Sequence, residues 1–554
     1  MPTPAPTSPG HAKPPRVAIV GAGPGGLAAG VLLAARGVDV TVFERQPTLG
    51  GRTSRIDLEG DDGETYRFDR GPTFFLMPHV LDEICRAAGT RLADMADLRR
   101  LDPMYRLVIG QAGGKPVVLN ATQDLDRMVE RISAIDAHDG KAFRRFIDDN
   151  RKKLDAAEPI LRRPIRSALD LARPDALAAA AHIKPHLSVH QLLKKYFRHP
   201  AVQLGVSFQS KYLGMSPFDC PSLFTILPFI EYEYGIWHPI GGCNALMHGL
   251  ARTLESLGGR VRLATPVESL DFSGRRVTGV IAGGEHHAFD HVVLNADAAW
   301  ALTHLVPEPL REAGYTDADF DQKKYSCSTF MLYLGLDREV DLPHHTIYTS
   351  AGYKQNLEDI GRDAGFGGSL SDDPSFYVCN PSRTDPTLAP AGRSALYVLV
   401  PTPNTRAKID WSVEGPRLRE RALDQIRERL GLDVRPHIRA ELALTPDDWR
   451  AQGIQFGATF NLAHGLDQML HKRPQHKVPG LEGLWLVGGG THPGSGLPVI
   501  FLSSQITSRL IGEELGLPDP AAQRISLKTR TKSDSAPIQR ASPEAEPAPE
   551  PAGV

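Results

Sequence analysis

The sequence predicts an α/β fold in which one parallel sheet is assembled from separated stretches of chain and a second, α+β domain is inserted between them. Three observations carry this reading. Residues 16–44 form a strand–glycine turn–helix–strand unit. Short apolar runs that end in small or polar residues return at His291–Asp297 and again at Leu484–Gly490. Between them lie amphipathic helical stretches and alternating or apolar strands, as an inserted domain requires.

The first unit is the most informative. Arg16–Val20 is a short β-branched run suited to a strand buried on both faces. Gly21, Gly23 and Gly26, with Pro24 and Gly25 between them, spell G-x-G-x-x-G. The first glycine permits the tight turn, the second lets backbone approach a pyrophosphate, and the third lets helix and sheet pack closely. Leu27–Arg36 is the expected helix, with N-terminal N–H groups that suit an anion. Val38–Phe43 is the second strand, and Glu44 at its end accepts ribose hydroxyls. A lone glycine motif is weak, but here strand, helix, second strand and acid all fall at the required spacing. Glu44 would repel a 2′-phosphate, which disfavours NADP. Gly50-Gly51-Arg52 then supplies a second close backbone approach and a cation, as an elongated dinucleotide lying across the sheet demands. The expected cofactor is FAD.

Length and composition bound the rest. The 554 residues suffice for two or more lobes. Lys+Arg 63 against Asp+Glu 65 leaves a net charge of −2, so no global field points to nucleic acid. Five scattered cysteines without C-x-x-C argue against a disulfide framework or a zinc site, fit a reducing cytoplasm and leave no metal expected. No run of about 18 apolar residues is present, so any membrane contact is expected from one side, at the inner face of the cell membrane. Residues 1–15 and 520–554 are rich in Pro, Ala, Ser or Glu and are expected to be disordered tails.

Along the chain, Thr65–Phe68 reads as a strand, followed by the turn Asp69-Arg70-Gly71-Pro72-Thr73. Residues 76–236 read as helix-rich, with helices over Pro78–Ala88, Asp124–Ile135, Gly140–Leu154, Ala176–Ile183 and Ser188–Tyr196. Leu223–Ile236 is apolar and aromatic, suited to lining a greasy tunnel, lying at a membrane interface, or ordinary core. A helix at Ala245–Leu257 and a strand at Arg260–Leu263 resume the first domain. Tyr325–Leu336 and Ala395–Val400 are strands of the second lobe, and Glu414–Leu430 is a long helix there. Leu484–Val487 is a last buried strand, the turn Gly488–Gly496 is rich in free N–H groups, and Pro498–Gly512 is a helix. A helix N-terminus aimed at a flavin stabilises negative charge on it. The expected domains are 16–75, 237–300 and 480–516 for a discontinuous Rossmann-like FAD-binding domain. Residues 76–236 and 301–479 form an inserted α+β substrate-binding domain with a helical, membrane-facing region.

At this point the chain resembles the bacterial and fungal carotenoid (phytoene) desaturases, within the flavin amine-oxidase superfamily, over residues 16–515. The resemblance runs through Gly50-Gly51-Arg52, Phe68–Thr73, Ser210–Pro217, Trp237–Gly242, Asn295-Ala296-Asp297, Pro343-His344-His345, Pro381–Pro390 and, most specifically, Thr491–Pro498. It implies FAD contacts from Gly21, Gly23, Pro24, Gly25, Gly26, Glu44, Arg45, Gly50, Gly51 and Arg52. Further contacts are implied from Gly71, Pro72, Thr73, Val267, Gly489, Gly496, Leu497 and Pro498. It also implies a hydrophobic carotenoid substrate, oxygen or a quinone as electron acceptor, and a peripheral membrane surface. The family usually continues after Leu-Pro with Gly-Val and a Ser-Gly pair; here Val499-Ile500-Phe501 and Ser503-Ser504 follow. Bulkier side chains there are expected to reshape the pocket, which leaves carotenoid oxygenase, ketolase and isomerase activities open beside desaturation. A flavin amine oxidase is disfavoured by Thr491-His492-Pro493-Gly494.

Such desaturation removes a hydride and a proton from neighbouring carbons, and the cofactor carries the hard chemistry. A delocalised allylic cation needs only a weak base, and no strong triad is visible. His492 and Asp69 are the two candidate catalytic residues. Each also has a plainer role, His492 in positioning the cofactor loop and Asp69 as a turn former, as is Asp385 before Pro386. Leu223–Ile236 and Tyr325–Leu334 are the candidate tunnel walls.

Overall fold

The computed structural model describes residues 13–361 and 367–518. The tails expected at 1–15 and 520–554 therefore lie outside the described residues, except for 13–15. The first sheet has five parallel strands in the order Leu484–Leu486, His291–Leu294, Arg16–Val20, Asp39–Phe43, Arg260–Arg262. Its central strand alternates strictly. Val17 and Ile19 enter one core with the helices Pro24–Ala34, Cys243–Ser256 and Leu497–Glu514. Ala18 and Val20 enter another, against the antiparallel sheet Val267–Ser273, Arg276–Ala282, Glu285–Ala288. A strand buried on both faces must be apolar where it is buried, as this one is from Val17 to Val20.

The second sheet has seven strands in the order Ile438–Leu444, Ser328–Leu336, Ser394–Thr402, Phe376–Cys379, His345–Thr349, Tyr105–Gln111, Gly114–Ala121. Only the His345–Thr349 and Tyr105–Gln111 pair is parallel. That pair joins the two inserted stretches, so residues 76–236 and 301–479 build one sheet. The stretch 76–236 is thus not only helical. Its hairpin Tyr105–Gln111/Gly114–Ala121 is carried by β-branched and apolar residues around Gly113, which takes φ +70°. Ser328–Leu336 is buried along its whole length because sheet neighbours flank it on both sides and helix Trp411–Leu430 contributes to the core over it.

The helices follow their capping signals. Asp124 accepts from the N–H groups of Asp126 and Arg127 at the start of Leu125–Ser133, and Asp136 accepts from Asp139 N–H at the start of Ala137–Leu161. The latter helix runs well past the expected 140–154. Leu223–Ile236 resolves into a short 3₁₀ turn and the helix Ile226–Tyr234. No helix among the described residues is long and apolar enough to cross a membrane.

Candidate functional site

One large cavity, about 1190 Å³, runs from the glycine turn of the first sheet into the second domain. At one end the glycines leave no room for side chains. A Cβ on Gly26 would sit 2.3 Å from the Gly21 carbonyl oxygen, and one on Gly25 would sit 2.5 Å from Asn295 Oδ1. Asn295 closes the turn from behind, its amide donating to Gly21 O at 2.9 Å. At the end of the second strand Glu44 is buried, and its carboxylate accepts from Ala22 N–H at 2.8 Å and Gln46 N–H at 2.9 Å. These bonds aim the acid into the cavity, where its remaining lone pairs face incoming hydroxyls.

The next section is cationic and rigid. Arg52 follows the left-handed Gly50 and Gly51 and donates to Thr459 O at 2.8 Å. Burial lowers its pKa, and Asp297 across the cavity opposes that shift. Burial likewise raises Asp297, with Arg52 as the main opposing charge. Arg473, fully buried and pushed down to about 10 by desolvation, donates to the carbonyls of Leu462, Ala463 and Gly489. It therefore pins the Gly488–Gly496 loop that leads into helix Leu497–Glu514. Ser504 Oγ donates to Gly25 O at 2.9 Å, tying that helix to the first glycine turn.

Of the residues expected at the cofactor, Gly21, Gly23, Pro24, Gly25, Glu44, Arg45, Gly51 and Arg52 line the cavity. So do Gly71, Pro72, Thr73, Val267, Gly489, Gly496, Leu497 and Pro498. Gly26 and Gly50 do not; they shape the turns from behind. Neither catalytic candidate lines it. Asp69 accepts from the N–H groups of Cys243 and Asn244, at 2.8 and 3.1 Å, and so caps helix Cys243–Ser256. Desolvation pushes its pKa up to about 6. His492 is buried beside His476, Nε2 lies 3.4 Å from Ile160 O, and burial lowers its pKa to about 4. Asp69 thus caps a distant helix rather than forming its own turn, and His492 meets the backbone of helix Ala137–Leu161.

Beyond the cationic section the walls turn apolar: Phe74, Leu76, Phe208, Tyr212, Met215 and Met331. The expected wall Tyr325–Leu334 contributes Cys327, Thr329 and Met331, alternate residues of a strand and its approach. Leu223–Ile236 contributes none. Its helix instead buries Ile226, Phe229, Ile230 and Tyr232 in the core behind the cavity, Tyr232 meeting Phe143 edge-on at 5.0 Å. The replacements after Pro498 divide in the same way. Ile500 lines the cavity beside Gly25, while Phe501 turns into the core.

The model of the flavin containing amine oxidoreductases matches residues 24–511. The 4,4'-diapophytoene desaturase (4,4'-diapolycopene-forming) of a Methylomonas species is 41% identical over 502 residues, 90% of this chain and 95% of that protein. The all-trans-zeta-carotene desaturase of Myxococcus xanthus is 41% identical over 505 residues, 90% of this chain and 94% of the other. The chain belongs to the carotenoid desaturases of the flavin amine oxidoreductase family. An oxidoreductase structure from Methanosarcina mazei superposes with a TM-score of 0.56 at 16% identity, over 88% of this chain and 98% of that one, which shows the shared fold.

The cofactor of this family member is FAD, and the site fits it. The glycine cradle that any Cβ would fill suits a pyrophosphate, Glu44 suits a ribose, and Arg52 suits a second anionic or ribityl contact. Asn295 is legible in the sequence as the polar end of a returning strand, but its bond to the glycine turn spans 274 residues. Arg473 and Tyr377 carried no local signal at all. A compact polar group also lies under the cavity: ligand-type atoms of His344, His345 and Cys379 fall within 4.8 Å of one another. Asp136, His138 and Asp139 form a second such group near the surface.

Proposed function

We propose that this chain is an FAD-dependent carotenoid desaturase that introduces double bonds into a long apolar polyene. The observation that carries the reading is the continuity of one cavity from a dinucleotide cradle to an apolar channel, in a member of the desaturase family. Bound in the cradle, the flavin supplies the two-electron oxidation. The chain supplies the rest. The glycine turns and Glu44 orient the cofactor, Arg52 and the N-terminus of helix Leu497–Glu514 stabilise negative charge near it, and the apolar walls align the polyene and exclude water. Oxygen or a quinone accepts the electrons.

The test is expression in a colourless host that makes phytoene, and in one that makes 4,4'-diapophytoene. A new three-banded visible spectrum is expected, with band positions that count the added conjugation. Unchanged precursor beside folded, flavin-bearing protein in both hosts overturns the reading.

A polyene of this kind resides in lipid, and one face supports delivery from it. Exposed Pro185 and His186 line the cavity, so the channel reaches the surface there. They follow directly on helix Pro174–Ile183, which carries Leu177, 59% exposed, after the 3₁₀ turn that carries Leu169, 81% exposed. Leu466, 47% exposed, lines the cavity as well. Exposed Arg166, Arg173 and Lys184 lie on the same segment as Leu169 and Leu177, with Asp170 and Asp175 between them, the latter paired with Arg173. Apolar tips among cations suit the surface of an anionic bilayer. This face is the membrane-docking surface of our reading, at the inner leaflet of the cell membrane.

A further inference from the structure

Loss of hydride and proton from adjacent carbons leaves a proton to be placed, and neither Asp69 nor His492 reaches the cavity. A different polar chain does. Thr73 Oγ1 and Tyr377 Oη are 2.8 Å apart, and Tyr377 Oη and His345 Nδ1 are 2.7 Å apart. Thr73 and Tyr377 line the cavity, and Thr73 follows directly on Gly71-Pro72 of the expected flavin contacts. Behind them His345 is fully buried, its ring stacked on Phe74 with centroids 4.0 Å apart and planes 10° apart.

The two contacts allow a relay of protons, and one of their two directions suits proton uptake. If Thr73 donates to the phenol oxygen, the phenol donates to His345 Nδ1, and each hydroxyl hydrogen is used once. Nδ1 is then the unprotonated nitrogen, and the ring hydrogen sits on Nε2, which has no hydrogen-bond partner. Burial first, and His238 second, hold His345 well below the ordinary histidine range, so the ring is neutral. Burial likewise holds Tyr377 well above the ordinary phenol range, so it does not ionise by itself. The phenol oxygen therefore takes up a proton only as its own proton departs, and a neutral imidazole 2.7 Å away receives it.

We propose that Tyr377 is the catalytic group that accepts the substrate proton, passing its own hydroxyl proton to Nδ1 of His345. This rests on the desaturase reading. One substrate C–H bond loses its hydrogen as hydride, with two electrons, to FAD. The neighbouring C–H bond breaks, its electron pair becomes the new π bond, and its proton binds the Tyr377 oxygen. The former Tyr377 proton then makes His345 an imidazolium, and it leaves by the reverse path when oxygen or the quinone is reduced. A strongly acidic proton beside an allylic cation requires no stronger base than this.

The experiment is a single anaerobic turnover of flavin-loaded enzyme with phytoene or 4,4'-diapophytoene in vesicles, following product against time in H₂O and D₂O. Tyr377→Phe is expected to retain flavin and KM but to slow product formation at least about 100-fold. His345→Phe, which keeps a ring against Phe74, is expected to slow it comparably. The wild type should show a solvent isotope effect that Tyr377→Phe lacks. Glu441→Gln, in the exposed ion pair with Arg419 and outside the cavity lining, should turn over like the wild type. A flavin-loaded Tyr377→Phe within about threefold of the wild-type rate overturns the proposal. So does a stoichiometric bound transition metal, because His345 would then be a ligand with His344 and Cys379. Failure of the wild type on both polyenes overturns the desaturase reading itself.

Discussion

Gly26 has the tightest surroundings of the first glycine turn, since a methyl group there would strike a backbone oxygen that cannot swing away. Gly26→Ala should cost about 1–3 kcal/mol of stability through overpacking and release FAD on purification, measured by flavin content and thermal melting. Asp69 makes a sharper case, because a buried carboxyl raised to about 6 binds more protons folded than unfolded between roughly pH 4 and 6. The stability it contributes is fully present below its ordinary range and is lost as pH rises through the folded value, at up to about 1.4 kcal/mol per pH unit. The melting temperature of the wild type should therefore fall relative to Asp69→Asn as pH rises from about 4 to about 6. His492 stays neutral above about pH 4 and so should impose no inflection on activity between pH 6 and 9. Asp69 and His492 drew notice in the sequence by residue type and turn context. Nothing local could say that each faces away from the cavity, just as nothing local marked Tyr377.

Helix Leu497–Glu514 was legible because its signals are short-range: a glycine-rich turn, then Pro in the first turn. What it does was less legible. The hydroxyl of Ser504 holds Gly25 O across 479 positions of sequence. Ser504→Ala should cost about 1 kcal/mol and weaken FAD retention, read by equilibrium dialysis of the flavin. The hairpin Tyr105–Ala121 was missed for the converse reason. Its strands satisfy each other locally, but its place at the edge of the second sheet is set by the parallel contact with His345–Thr349, far along the chain. The apolar stretch 223–236 shows the limit of composition: greasy residues sealing a core and greasy residues lining a channel look alike until neighbours are assigned.

At the scale of the molecule, the strands at His291 and Leu484 that join the first sheet were readable, whereas the channel mouth was not. Its residues Pro185, His186 and Leu466 are far apart in the chain and meet only at the cavity. Leu169→Glu/Leu177→Glu/Leu466→Glu should lose co-sedimentation with anionic vesicles while retaining flavin. It should also retain turnover of detergent-dispersed polyene; undiminished vesicle binding would refute the docking face. The continuity of this cavity has one more consequence, for how its two ligands bind. Because the dinucleotide cradle and the apolar channel are continuous, a flavin seated in the cradle would border the space left for a polyene. Cofactor loading would then change the room left in the channel, so the two ligands should bind interdependently.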